Sequence, residues 1–218
     1  MDNENSTPIG YSDFLHSADA VELFGEIDFK LKDGFHFSQV EDQFDFYRFI
    51  EQNEESLMLY YQRFFAVPLR RGGEGDEKYY HLEFTGLTRG AIDAEHRYFL
   101  KNEYVIIGLL VYKVIFIDKN IELSSIRKFQ ETIKRDYEEL RPDLYRLLAK
   151  TRKETPSQFS DEKMDEMITN SFKEFEKIGW VKLDSDEFRL LPAFQRLNKV
   201  FGEYINNIDD VIKNWSKE

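Results

Sequence analysis

The sequence predicts a mostly α-helical chain with two small β-hairpins, an α+β protein, and three observations carry that prediction. Apolar residues recur at steps of three and four through most of the 218 positions, the spacing that lines up side chains on one face of a helix. Two stretches, ending near Phe84 and Leu191, instead alternate with period two around polar turns, as half-buried strands do. The order helices, hairpin, helices, hairpin, helix uses the whole chain and repeats once.

Met1 to Gly10 is polar and acidic without an apolar core, so residues 1–11 are expected to form a disordered tail and not a signal peptide. Ser12 to Asp33 carries Phe14, Ala18, Val21, Phe24, Ile27 and Leu31 on one helical face, and Gly34 ends it. Ser38 is placed as the N-cap of a second helix with Glu41 as capping-box partner, running through Phe46, Phe49 and Ile50. From Glu55 to Leu69 a helix passes into a strand. Arg70 to Asp76 is a glycine-rich loop, and Tyr79 to Phe84 alternates as a half-buried strand, closing a hairpin or wing.

Arg89 to Asn102 connects the halves, and Glu103 to Asp118 is apolar nearly all round, which predicts the central helix of the second module. Ser124 is expected to cap a helix reaching about Leu140, and Pro142 to start another through Lys150. Thr155-Pro156-Ser157 reads as a loop. Ser160 opens a helix with the stripe Met164, Met167, Ile168, Phe172, Phe175 and Ile178, and Gly179 closes it. Trp180 to Leu183, a turn Asp184-Ser185-Asp186, and Glu187 to Leu191 form a short antiparallel hairpin. Pro192 then starts a terminal helix carrying Phe194, Leu197, Val200, Phe201, Ile205 and Ile208. A helix running directly into a hairpin is the plan of a winged-helix module. Tandem winged-helix domains over 12–90 and 91–218, the second with a C-terminal helix, are the expected architecture.

Composition narrows the function. The chain has no cysteine, so disulfides and cysteine-held metals are excluded and a cytoplasmic setting is expected. The apolar run Val105 to Ile117, broken by Gly108 and Lys113, is short of the roughly 20 residues a membrane span needs, so no membrane partner is expected. Net charge is −12, but residues 1–90 hold 18 acidic against 8 basic side chains and residues 91–218 hold 24 against 22. Arg127 to Lys153, with nine basic residues against five acidic ones, is the only sizeable positive segment of the sequence, and Lys150, Arg152 and Lys153 at its end are candidates for DNA contact. Phosphate contacts on so acidic a body work against its field, so any DNA contact should be local and assisted.

The phrase Phe172-Lys-Glu-Phe-Glu-Lys-Ile-Gly-Trp-Val-Lys-Leu183, followed by Glu187-Phe-Arg-Leu-Leu-Pro-Ala-Phe194, resembles the second winged-helix module of the MukE/MksE family, and Phe46 to Phe84 resembles its first. The resemblance covers roughly residues 12 to 206. It implies a nucleoid-associated, non-catalytic subunit that dimerises with itself, grips a kleisin and sits near the ATPase heads of an SMC-like protein. The complex would serve chromosome organisation (MukBEF or MksBEF type) or, as in the related Wadjet systems, plasmid defence. In such proteins the helix before the second wing is basic near its C-terminal end; here Lys173 and Lys177 match, interrupted by Glu174 and Glu176. Lys182 and Arg189 on the wing strands, with Arg196 and Lys199 beyond, are further candidates for phosphate contacts. The ordinary alternative for all of these is a solvated surface.

Gly72-Gly73-Glu74-Gly75 lacks the Gly-Lys-Ser/Thr that a phosphate loop needs at a helix start, so it reads as a hairpin loop. His16, His36, His81 and His96 show no paired metal-ligand spacing. Asp143 with Asp161-Glu162-Lys163 imitates the acid and lysine order of a metal nuclease, but both fragments fall at helix starts, where acids suit the dipole. No cofactor and no catalysis are expected. Twenty Phe and twelve Tyr are more than the core easily absorbs, which predicts partner surfaces: Tyr60, Tyr61, Phe64 and Phe65 in the first module, Phe194, Phe201 and Tyr204 in the last helix. The competing class is a stand-alone winged-helix transcription regulator. It requires a basic recognition helix, and Ser160 to Ile178 holds six acidic residues against three lysines.

Overall fold

The computed structural model describes residues 8–84 and 100–217. Residues 1–7 of the expected tail and residues 89–99 of the expected connector, with His96, lie outside the described residues. The chain divides into two compact units, Met1–Tyr98 and Phe99–Glu218. Its described part is mostly helical with small antiparallel sheets.

The first unit begins with a 3₁₀ turn, Asp13–His16, and helix α1, Ala20–Lys32. The single helix expected over Ser12–Asp33 is thus interrupted at Ser17, whose backbone is extended. The break resets the helical phase. Phe14, Ile27 and Leu31 reach the core, but Val21, expected on the buried face, is 94 % exposed, and Ala18 is exposed too. Gly34 stops α1 in the left-handed conformation (φ +84°), while the amides of Gly34 and Phe35 bond back to Leu31 and Lys30, a closure that spares the last carbonyls from being orphaned. Gly10 and Tyr11 are held against the unit, Gly10 by the Ser56 hydroxyl at 2.8 Å and Tyr11 edge-on to Phe64.

Strand β1 is Phe37–Ser38. Ser38 is therefore a strand residue and not a helix cap: its amide donates to Gln43 Oε1 at 2.7 Å, and the next helical turn starts at Glu41. Helices α2 (Phe44–Gln52) and α3 (Glu54–Phe65) follow, then β2 (Leu69–Gly72) and β3 (Tyr79–Leu82). The sheet order is β1-β3-β2, all antiparallel. All four residues of β3 are buried, against the expected alternation. Tyr80 packs on Tyr47 toward the helices, and on the opposite face Tyr79, His81 and His36 cover one another. At Gly73 (φ +70°) a Cβ would stand 1.9 Å from the Glu77 carbonyl oxygen, so the loop closes only over glycine.

The second unit is built around α4, Asn102–Tyr112, whose residues Ile106 to Tyr112 are all buried. It continues in a π turn, Lys113–Ile117. Gly108 lets it pack closely, since a Cβ there would meet Leu197 at 2.9 Å and Phe175 at 3.3 Å. Helix α5, Ile126–Asp136, is capped by Ser125 and not Ser124, the Ser125 hydroxyl accepting the Lys128 amide at 3.1 Å. Helix α6 is Arg141–Thr151, with Pro142 in its first turn; the expected loop at Thr155–Ser157 ends in a short 3₁₀ turn, Pro156–Gln158. Helix α7, Asp161–Lys177, is capped by Ser160 and buries the expected stripe of Met164, Met167, Ile168, Phe172 and Phe175. Strands β4 (Val181–Asp184) and β5 (Glu187–Leu190) pair antiparallel, so the turn between them is two residues, Ser185-Asp186, where three were expected. The expected terminal helix is two: α8, Arg196–Ile205, and α9, Ile208–Trp215. Phe201 leaves helical geometry (φ −122°, ψ 20°), and Val200, expected in the stripe, is 54 % exposed.

Candidate functional site

Gly179 and Trp180 set the angle at which the hairpin leaves α7. Gly179 takes φ +71°, the amides of Gly179 and Trp180 return to Glu176 and Phe175, and the Trp180 ring lies 6.0 Å from that of Phe175. This closure, with its apolar contact across the stop, turns the chain directly into β4. Val181 and Phe188 then face inward, Phe188 against Phe172 at 4.5 Å, while Lys182 and Arg189 are exposed register partners across the two strands.

Hydrogen bonds at two places, midway along β4 and at the tip, hold the hairpin against the helices. The Leu183 amide donates to Glu176 Oε1 at 2.9 Å. At the tip, Asp186 accepts the Ser125 hydroxyl at 2.5 Å and the Arg127 amide at 3.2 Å, while its carbonyl accepts the Ile126 amide at 2.8 Å. Ser125 also bridges to Glu187, so the segment before α5 adds a third strand-like contact to the hairpin.

The surface charge is mixed. Lys173, Glu176 and Lys177 are exposed on α7, with Lys177 paired to Glu174 at 2.6 Å. The hairpin is basic midway along its strands and acidic at its tip, where Asp184, Asp186 and Glu187 are exposed. Arg196 is half-buried and Lys199 exposed at the start of α8. Of the other basic candidates, Arg152 pairs with Glu154 at 3.1 Å, Lys153 ends α6 in the left-handed conformation (φ +58°), and Lys150 lines an apolar groove. The Arg127–Lys153 segment is spread over two helices, with Lys134 paired to Asp165 at 2.5 Å and Arg146 to Asp143 at 3.1 Å.

Of the aromatic candidates, Tyr61 and Phe194 are buried within their own units, 0 % and 1 % exposed. Burial and the nearby Asp28 carboxylate push the Tyr61 hydroxyl's pKa well up, so it stays a donor. Tyr60 and Phe65 are half-buried against the first core; Phe64 and Tyr204 are exposed, and Phe201 half-buried. Sequence reasoning missed Val21 and Phe29, the latter 73 % exposed, both on the outer face of α1. It also missed Asp186, whose pairing with Ser125 crosses too many residues for a local pattern to reveal.

The acids resembling a nuclease motif do not converge with their lysine. Asp161 accepts from Tyr145 at 2.5 Å, and burial together with that carboxylate raises the Tyr145 pKa, keeping the hydroxyl protonated. Lys163 pairs instead with Glu154 at 2.9 Å, and Asp143 accepts the Ser216 hydroxyl at 2.8 Å. His36 and His81 stack at 5.0 Å, but among the described residues no three metal-binding side chains gather.

A family model described as condensin complex protein MksE matches residues 22–201. No curated protein matches the chain.

Proposed function

The chain belongs to the MksE family of condensin complex proteins, and from that premise we propose that it is a non-catalytic scaffold of an SMC-type complex, acting in the cytoplasm on the nucleoid. In this reading both units are winged-helix modules, and the subunit dimerises, grips a kleisin and assists an SMC-like ATPase in entrapping DNA. The winged-helix reading draws support from the matching plan of the units. In each, a short extended segment after the first helix, β1 or Ser125, pairs with the last hairpin strand.

The observation that carries the binding role is the charge of the hairpin face. A reader of DNA needs cations where it meets phosphates, whereas here glutamates interleave the α7 lysines and the tip is acidic. Such a surface suits a protein partner, with Lys182 and Arg189, exposed on the strands, as candidates for assisted phosphate contact. DNA held this way serves either chromosome organisation or Wadjet-type plasmid defence.

Affinity purification of the full chain from its own cells tests the proposal. Recovery of a kleisin-like protein and an SMC-like ATPase is the expected outcome. A monomer that captures neither, yet binds an operator at nanomolar concentration in physiological salt, would be a transcription regulator.

A further inference from the structure

Within the second unit, α4, α6, α8 and α9 border a groove of about 540 Å³. Its walls are Val105, Ile106, Leu109, Leu147, Phe201 and Trp215, and the exposed Lys150 stands on its rim. The walls are set locally: α8 packs on α4 through Leu197 but breaks at Phe201, and α9 is tied to the start of α6 by the Ser216–Asp143 hydrogen bond, so that Phe201 and Trp215 line the groove. The aromatic wall is braced by Tyr204, whose ring lies 6.5 Å from Phe201 and 5.3 Å from Trp215. Apolar grooves between helices are where an amphipathic helix lays anchor side chains spaced one turn apart.

Charge selects among helices. Lys150 is on the rim, Lys153 follows on the end of α6, and Lys101 precedes the lining residue Asn102, all three exposed. Arg146 and Arg152 are already committed to Asp143 and Glu154, and against the three lysines stands the half-buried Glu103. The geometry points to an amphipathic helix of a protein partner, with large aliphatic anchors flanked by carboxylates, as the occupant of this groove. Lys150, a basic residue in a segment that reads as DNA-binding, serves there as the partner for a carboxylate. This inference rests on the reading of the chain as a binding subunit and adds the surface and the chemistry of what it binds.

The test uses the full chain and a synthetic helical peptide with leucines one turn apart on one face and glutamates on both flanks, beside the same peptide with lysines for glutamates. The glutamate peptide should bind saturably and change the emission of Trp215, a response lost in Trp215→Phe. Lys150→Glu should weaken it about tenfold or more, the size of a well-placed charge contact, and Val105→Trp, which fills the groove, should abolish it, with melting curves confirming that both variants fold. Absence of saturable binding, equal binding of the lysine peptide, or indifference to Lys150→Glu overturns the assignment. So does self-association that Val105→Trp removes, since a second copy is then the occupant. Kleisin and SMC-like ATPase both captured equally by wild type and Val105→Trp would refute the groove while leaving the scaffold intact; a wild type that captures neither refutes the scaffold.

Discussion

Asp186, in the tip of the second hairpin, accepts the hydroxyl proton of Ser125 at 2.5 Å across 61 residues of chain. Its other carboxylate oxygen takes the Arg127 amide at 3.2 Å, so one side chain caps α5 and holds the hairpin down. The hairpin is therefore a fixed part of the second unit.

Asp186→Ala should cost about 1–2 kcal/mol, the range for losing a helix N-cap, read as a lower urea midpoint. Asp184→Ala, two residues away and exposed, should change stability by less than about 0.5 kcal/mol. Equal losses from the two would mean that the cap contributes nothing.

The left-handed residues around the hairpin should separate by side chain. Gly179→Ala places a Cβ at φ +71° and should cost about 1 kcal/mol. Ser185 already carries one at φ +56°; Ser185→Val should cost about 1 kcal/mol or more because a β-branched side chain fits that region worst, while Ser185→Gly should not destabilise. Thermal melts of the three variants decide it.

Gly108→Val should destabilise by about 1–3 kcal/mol through overpacking, because Leu197 and Phe175 stand at 2.9 and 3.3 Å from where its Cβ would be. A neutral result would show that α4 and α8 can part without cost.

Helix α1 offers a contrast of neighbouring residues. Ile27 is 0 % and Phe29 73 % exposed, so Ile27→Ala should cost about 2–5 kcal/mol and Phe29→Ser less than about 0.5 kcal/mol. Denaturation of the two variants checks the helical phase directly. If the outer face of α1 is a partner surface, Phe29→Ser also reduces co-purification of the complex without loosening the fold.

Lys182→Ala with Arg189→Ala should reduce the slope of log affinity for DNA against log salt by about 2, since each lost phosphate contact removes about 0.9. Stability should move by less than about 1 kcal/mol, as both side chains are exposed. An unchanged slope would place DNA elsewhere on the molecule.

Local structure was legible wherever neighbouring residues decide it. The stripe of α7, the cap at Ser160, the stop at Gly179 and the alternation of Val181 to Leu190 all follow from backbone periods acting over a few residues. The absence of cysteine and the uneven charge likewise needed no coordinates.

What only the tertiary structure decided depends on segments far apart meeting. An extended residue at Ser17 rotated Val21 outward; pairing with Tyr79 drew Ser38 into a strand; and a break at Phe201 left Lys150 beside an apolar groove. Period and propensity determine which element a segment forms, but not its rotation about its own axis or its distant neighbour, because those are set by packing against surfaces encoded elsewhere in the chain.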